Sequence, residues 1–131
     1  MPANSIHAFN TATWSLDNSF LVQLTSPGEA YDAVCPFYLI DHPEGVALVD
    51  TGISHDMLDD PEDDGTGAGF MEAFLPAIEY DASMHPRAHL ADAGYSPGDV
   101  DYVVMSHLHS DHAGHLDVFP DAEVVVQQSE L

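Results

Sequence analysis

Hydrophobic residues in the first third of the chain occur in short runs separated by turn residues, a pattern that predicts β-strands. Residues 6–16 are rich in Thr and aromatic side chains, and residues 20–24 form a shorter apolar run. Two further strands are predicted at residues 36–41 and 46–50, and residues 42–45 (HPEG) suit a hairpin connection between them. The first third is therefore predicted to be mostly β-sheet.

The periodicity weakens between residues 54 and 82. Within that stretch an acidic run followed by a glycine-rich run, residues 59–69, predicts a long mobile loop without regular structure. A helix is predicted next, with Pro86 in its first turn and Gly94 as its carboxyl-terminal cap. This helix is the only one that the pattern predicts in full.

The last third contains two more predicted strands, residues 101–105 and 122–127. Residues 129–131 resemble the start of another helix. The chain shows no internal repeat and no linker, so residues 1–131 are predicted to belong to one domain of the α/β class.

Four side chains that bind metals well follow directly after the predicted strand 101–105: His107, His109, Asp111 and His112. On extended backbone, residues two apart point the same way, so His107 and His109 are predicted to share one ion. Asp111 and His112 come after the chain has bent and are predicted to face a second ion. Imidazole and carboxylate ligands indicate zinc, although each zinc ion usually keeps three or more protein ligands. The motif therefore predicts part of a two-zinc site.

The other histidines lack ligand spacing. His115 lies three residues beyond the motif, and we interpret it as a supporting or structural residue that lies behind the ligands. Five more are predicted to be surface or packing residues: His7, His42, His55, His85 and His89. The alternative interpretation of the motif itself is a set of exposed loop histidines in an acid-rich chain.

The charge of the chain is strongly negative. Asp and Glu total 23 against a single basic residue, Arg87, which gives a formal net charge of −22. Such a surface repels phosphate, so we expect neither a nucleic acid nor an anionic membrane as partner. The acids are spread along the whole chain, which favours adaptation to a salt-rich cytoplasm over a site for cations or basic partners. We expect a halophilic protein that loses structure when salt is removed, because about 1 M salt shortens the Debye length to about 3 Å.

Several other classes of protein lack support. Cys35 is the only cysteine, so an internal disulfide is excluded and core packing is its predicted role. Neither a signal peptide nor a transmembrane run is present, and we expect a soluble, cytoplasmic protein. The chain has no G-x-S-x-G elbow for a serine nucleophile, and the glycines of residues 65–69 have no lysine of a phosphate-binding loop beside them.

Together with the segment 48–52 (LVDTG), the motif S-H-L-H-S-D-H-A-G of residues 106–114 resembles the metallo-β-lactamase superfamily. Within the superfamily the chain is most similar to the N-acyl homoserine lactonases. Further similarity lies in residues 16–19 (LDNS), residues 38–40 (YLI) and residues 94–100 (GYSPGDV). The resemblance covers nearly the whole chain in order.

The resemblance implies an αββα sandwich with two zinc ions at one edge, and a small ester or lactone as substrate. It implies that Asp50 orients the ligand loop through hydrogen bonds, and that a hydroxide bridging the metals opens a lactone ring. Asp111 would then pass a proton to the departing alkoxide. Phe70 would line a pocket for the acyl chain. A dimer is the one oligomeric state that we consider for this protein.

The chain also departs from the family pattern. The family takes a third His for the first metal, a bridging Asp and a last His for the second metal from its carboxyl-terminal half, which these 131 residues do not match. We therefore expect a mixed sheet with a flanking helix, which is about the first half of such a fold. The sequence is then a fragment, or the gene is broken, or another chain completes the site. By itself this polypeptide is expected to bind metal weakly, to expose an apolar sheet face and to have little activity.

Two alternatives to the lactonase interpretation stay open. One is a glyoxalase or thioester hydrolase of the same superfamily, and the other is a truncated, non-catalytic metal-binding remnant. A diiron oxidoreductase is disfavoured because the similar proteins of that type carry Glu at the position of His109.

Overall fold

The computed structural model describes residues 1–23, 26–63 and 71–131. The strands are β1 (Ser5–Asp17), β2 (Ala30–His42), β3 (Gly45–Val49), β4 (Ile78–Glu79), β5 (Tyr102–Val104) and β6 (Glu123–Val125). The helices are α1 (Asn18–Leu21), α2 (His55–Asp59) and α3 (Pro86–Asp92), with 3-10 turns at Pro61–Asp63, Met71–Ala73, Leu75–Ala77, Ala82–Met84, Pro97–Asp99, Leu116–Val118 and Gln128–Glu130. In the described ranges no helix has the length and apolar character needed to cross a bilayer.

The six strands form one mixed sheet in the order β4-β1-β2-β3-β5-β6. β1 and β2 pair antiparallel over almost their whole length, so β2 begins at Ala30, six residues before the predicted start at 36. Pairing with β1, and not the apolar pattern of β2 itself, extends this strand. The register shifts after Asn10, whose side-chain Oδ1 accepts a hydrogen bond from the Cys35 N–H at 3.0 Å. Pro36, which has no N–H to donate, stands opposite Asn10 at this irregularity.

β3, β5 and β6 run parallel to one another, so their carboxyl ends meet at one edge of the sheet. Asp50 follows β3, and its N–H donates to the Val104 carbonyl of β5 at 3.0 Å. The strand predicted at 101–105 is confirmed as β5, one residue shorter at each end. Its neighbour β3 thus brings Asp50 beside the start of the metal-binding motif.

Helix α3 covers one face of the sheet and is confirmed as predicted. Leu90 of α3 is fully buried in a cluster with residues from the central strands: Phe37, Leu39, Leu48 and Val103. Gly94 has φ +89°, and the N–H of Tyr95 donates to the Leu90 carbonyl at 2.8 Å, which closes the helix.

The opposite face of the sheet presents two rows of side chains that cross five strands. The register places them as Ala8, Tyr38, Val49, Val104 and Val125 in one row, and Ile6, Ile40, Ala47, Tyr102 and Glu123 in the other. All except Glu123 are apolar, and Ile6, Tyr102 and Tyr38 are 67%, 44% and 39% exposed. A face of this kind favours association, as predicted for the isolated polypeptide.

The prediction of a strand at residues 20–24 is wrong for residues 20–23. Leu24 lies outside the described residues. A helical turn, α1, forms instead because the Asp17 carboxylate accepts hydrogen bonds from the N–H groups of Ser19 and Gly28. This cap starts a helix just before the apolar run. Phe20 is 67% exposed and stays outside the sheet.

Regular structure also replaces part of the predicted loop at 59–69. α2 ends at Asp59, and residues 61–63 form a 3-10 turn, while residues 64–70 lie outside the described part of the chain. The Ser54 side chain caps α2 by accepting from the Met57 N–H at 3.2 Å. The short strand β4, which pairs with β1 at Thr13 and Trp14, was not predicted because two residues carry no periodicity.

Close backbone packing joins the segment after the motif to the segment after β3. Gly52 and Ala113 form a parallel bridge, and the Gly114 N–H donates to the Gly52 carbonyl at 2.9 Å. A Cβ on Gly114 would lie 2.6 Å from the Ile53 carbonyl carbon and 2.7 Å from the Gly52 oxygen. Both neighbours are backbone atoms, so the space can open only by moving the chain.

Gly114→Ala is therefore expected to lower the free energy of unfolding by about 2 kcal/mol or more, as overpacking does in a tight interior. Urea denaturation at constant salt measures it. Gly98→Ala is the matched control, because its Cβ would meet only the Ser96 hydroxyl, at 3.9 Å. Equal stabilities of the two variants would contradict this account of Gly114.

Candidate metal centre

The motif occupies the segment between β5 and the 3-10 turn at Leu116–Val118, at the edge where β3 and β5 both end. We call residues 106–115 the histidine loop. The N–H groups of His112 and Ala113 both donate to the His109 carbonyl at 2.9 Å, so the loop makes a helical turn after His109. This turn bends the chain between the two halves of the motif.

Three of the four predicted ligands converge. One ligand atom from each of His107, Asp111 and His112 lies within 4.8 Å of the others, and all three residues are half-buried. The ring centroids of His107 and His112 are 4.1 Å apart, and Nε2 of His112 lies 3.4 Å from Oδ2 of Asp111. In the part of the chain that the structure describes, this is the one group of three or more such residues with ligand geometry.

His109 lies beside this group and not within it. Its ring centroid is 4.7 Å from that of His107, with the two rings nearly perpendicular, and the residue is exposed. The structure thus groups His107 with Asp111 and His112, whereas the spacing along the chain predicted that His107 shares an ion with His109.

The Asp50 carboxylate holds both ends of the loop. It is 6% exposed, and it accepts hydrogen bonds from the Ser106 N–H at 2.8 Å, the Ser106 hydroxyl at 2.7 Å and Nδ1 of His112 at 2.8 Å. Asp50 adopts φ +60°, a left-handed conformation that Asp tolerates better than most residues. Three hydrogen bonds from one loop to one buried carboxylate fix the position of that loop.

This network also decides which ring nitrogens carry protons. A carboxylate only accepts, so Nδ1 of His112 carries the proton and Nε2 is left with a lone pair. The single hydroxyl proton of Ser106 goes to Asp50, so the Ser106 oxygen accepts from Nδ1 of His107, 3.0 Å away. Both imidazoles therefore keep Nε2 free to bind a metal.

Ser106 is a site residue that sequence reasoning missed as a separate contributor. The only signal was its place directly before the motif, and its role depends on Asp50, which lies 56 residues earlier in the chain. Thr51 was missed as well. The Thr51 N–H donates to the His112 carbonyl at 2.7 Å, and the Thr51 hydroxyl donates to the same carbonyl at 3.1 Å and accepts from the His115 N–H at 3.1 Å.

His115 is buried on the side of the loop that faces α2. Its Nε2 accepts from the backbone N–H of His55 at 3.3 Å, and its ring contacts those of His55 and His85. Burial, followed by the nearby His85 and His55, lowers the pKa of His115 to about 3. His55 and His85, predicted to be unrelated surface or packing residues, thus pack together around it.

One site prediction is left, and one further carboxylate reaches the loop. Phe70, the predicted acyl-chain contact, lies outside the described residues. At the carboxyl end of the chain, Oε2 of Glu130 accepts from the Leu108 N–H at 3.1 Å, which brings another carboxylate to the histidine loop. Several carboxylates at one edge attract a cation.

The donor set suits zinc. Two imidazoles with free Nε2 atoms and one carboxylate are the ligand types that zinc takes, and three protein ligands leave a position open for water or substrate. Asp50 and Ser106 supply the hydrogen bonds that orient such ligands in metal sites. Three convergent ligands serve one ion, and a pair of ions would need more.

Comparison with known proteins places these features in a family. The family model for the metallo-beta-lactamase superfamily matches residues 30–130. An N-acyl homoserine lactonase, AttM, of Agrobacterium fabrum is 37% identical over 103 residues, which are 79% of this chain and 38% of that protein. An N-acyl homoserine lactonase of a Bacillus species is 36% identical over 118 residues, 88% of this chain and 45% of that protein. The chain thus spans less than half the length of these curated relatives.

Solved structures agree with this comparison. An N-acyl homoserine lactone hydrolase with the product N-hexanoyl-L-homoserine at its catalytic metal centre superposes with a TM-score of 0.79 at 27% identity, covering 99% of this chain and 51% of that chain. The dizinc quorum-quenching lactonase AidC, at 19% identity and a TM-score of 0.60, shares the fold. The expected mixed sheet with a flanking helix, about half of such a fold, is confirmed, and the chain belongs to the metallo-beta-lactamase superfamily.

Proposed function

We propose that this chain supplies the metal-binding loop of a zinc-dependent hydrolase that opens a lactone ring of the N-acyl homoserine lactone type. The observation that carries the proposal is the network in which Asp50 and Ser106 leave Nε2 of His107 and His112 free beside Asp111. The names of the relatives give the proposal its substrate class.

Bound zinc would polarise the ring carbonyl and activate water as a nucleophile. In the net reaction, the oxygen of water adds to the carbonyl carbon, the ring carbon–oxygen bond breaks, and the departing alkoxide takes up the proton that the attacking water loses. Asp111 is the carboxylate available to carry this proton, because its side chain belongs to the ligand group and is 40% exposed. Asp50 is not available for this step, since it is buried and already accepts three hydrogen bonds.

The ligand group of His107, Asp111 and His112 is sufficient for one ion, with His109 close by. We propose that a two-ion site takes its remaining ligands from residues other than those that the structure describes. On this proposal the 131-residue polypeptide alone binds zinc weakly and hydrolyses little lactone. A non-catalytic metal-binding module is the second candidate, because the described ligand group serves one ion and a two-ion site needs more ligands.

The remaining predictions about cellular setting rest on charge. In the described part, every ion pair between side chains has His as its basic partner. Most of the net charge of −22 therefore has no basic side chain to offset it, which supports the halophilic prediction. The cytoplasmic location, the dimer and the role of Phe70 stay predictions.

A chimera tests the proposed activity. Residues 30–130 would replace the matching segment of the Agrobacterium lactonase, so that the rest of that protein completes the fold and the ligand set. We expect the zinc-loaded chimera to open N-hexanoyl homoserine lactone, and His112→Ala in the chimera to lower kcat/KM by about a hundredfold or more, because the ligand and its hydrogen bond to Asp50 are both lost.

Circular dichroism and zinc content control for misfolding in both chimeras. A folded, zinc-loaded chimera that leaves the lactone intact would contradict the lactonase proposal. Turnover of a glutathione thioester in its place would favour the glyoxalase-type alternative, and turnover of neither would favour the metal-binding module.

Asp50→Asn tests the orienting network in the 131-residue chain. Asn tolerates the left-handed backbone, but its one amide oxygen cannot replace both carboxylate oxygens. The Ser106 N–H binds Oδ1, whereas the Ser106 hydroxyl and His112 bind Oδ2, so the NH2 group of Asn would face at least one donor. We expect zinc affinity to fall about 10- to 100-fold, measured by competition with a chromophoric chelator. Asp121→Asn, at an exposed turn, removes the same charge and is expected to leave affinity nearly unchanged. If the two variants lost zinc affinity equally, Asp50 would act only through its charge, and its orienting role would be contradicted.

A further inference from the structure

Three histidines far apart in the sequence meet beneath the histidine loop. His55 is the first residue of α2, His85 directly precedes α3, and His115 ends the histidine loop. Their ring centroids are 4.6 to 5.4 Å apart, and each pair meets edge to face. We call these residues the histidine trio.

Hydrogen bonds use two members of the trio, His85 and His115, in their uncharged form. Nε2 of His115 accepts from the His55 backbone N–H at 3.3 Å, and Nδ1 of His85 accepts from the Arg87 N–H at 3.1 Å, where it caps α3. Nε2 of His55 donates to the Thr11 carbonyl at 2.7 Å. Protonation of either accepting nitrogen would abolish its hydrogen bond and place a cation beside two other imidazoles.

The surroundings oppose charge on His85 and His115. His55 and His115 are 6% and 3% exposed. Burial is the first cause that lowers the pKa of His115, to about 3, with His85 and His55 adding to it. Burial, His55 and Arg87 lower the pKa of His85, while Asp56 and Asp117 act in the opposite direction without reversing the shift.

A cavity gives protons a route to the trio. His55, His85 and Arg87 line it, together with the other ionisable groups that face them: Asp56, Asp59, Tyr80 and Asp81. Three of these already have partners, since the Tyr80 hydroxyl donates to Asp59 at 2.8 Å and the Asp81 carboxylate accepts from the Ser83 N–H at 2.7 Å. These carboxylates would draw protons toward the cavity, whereas the buried rings hold the neutral form.

The trio is connected to the metal-binding end of the loop through backbone. The His115 N–H donates to the Thr51 hydroxyl, and Thr51 in turn holds the carbonyl of His112. The Gly114 N–H donates to Gly52, so residues 112–115 are all fixed against the segment that follows β3. Movement of His115 would therefore be transmitted to His112.

We propose that the histidine trio is a proton-sensitive latch, which holds the carboxyl end of the histidine loop against α2 and the start of α3 while its imidazoles are neutral and releases it in acid. The latch is a property of the folded chain and does not depend on lactone hydrolysis. Because the pKa of His115 lies below its unfolded value near 6.5, its stabilising contribution is complete above that pH. The contribution is lost progressively as the pH falls from about 6.5 toward about 3.

Amide hydrogen exchange tests the latch on the whole chain, treated with chelator and held at constant high salt. The reporters are the amides of Gly114 and His115, with rates corrected for the intrinsic pH dependence of exchange. One proton taken up on opening lowers protection about tenfold per pH unit, so we expect at least that slope in the wild type between pH 6 and pH 5. The double variant H85N/H115N is expected to lose this dependence.

Controls distinguish the latch from general effects of acid. His42→Asn removes a histidine that contacts none of the three and should keep the wild-type slope. His85→Asn alone keeps an acceptor at the start of α3, so this variant is expected to fold and to give a shallower slope even where the double variant does not fold. A flat wild-type profile would overturn the proposal. A slope equal to that of the wild type in the folded double variant, or in His85→Asn, would overturn it as well.

Discussion

The structure of the metal-binding edge depends on one buried carboxylate. Asp50 stands where β3 ends, in a left-handed conformation that turns its side chain toward the loop following β5. Its three hydrogen bonds to Ser106 and His112 set the proton positions on two imidazoles before any ion binds. A ligand loop arranged in advance in this way loses less conformational entropy on binding metal, which is why the network matters for affinity as well as for geometry.

The sheet provides the support for this arrangement. Parallel pairing of β3 with β5 is what places Asp50 and Ser106 at the same edge, although 56 residues separate them. α3 covers one face of the sheet. On the other face, the apolar row that contains Val49 and Val104 lies directly before the edge that carries the ligand group. The exposed apolar face and the ligand group therefore lie next to each other, in a chain that covers about half of a lactone hydrolase of known structure.

Local patterns along the sequence predicted the local features of the molecule. The Thr- and aromatic-rich run became β1, Pro86 and Gly94 bounded α3, and the motif after β5 contained the three ligands that converge. Features that depend on distant contacts were not predictable in this way. The start of β2 depends on pairing with β1, and α1 depends on a cap by Asp17 that overrides an apolar run. The histidine trio brings together positions 55, 85 and 115, whose spacing along the chain carries no periodic signal.

We infer that Asp50 and Ser106 fix the tautomers of His107 and His112 in the form that binds metal, and these tautomers can be measured. Long-range proton–nitrogen NMR correlation on the metal-free chain, at a pH where the rings are neutral, reports which ring nitrogen carries the proton. We expect both rings to be protonated at Nδ1, with Nε2 unprotonated. Protonation of both rings at Nε2, or rapid exchange between the two tautomers as in free histidine, would contradict it.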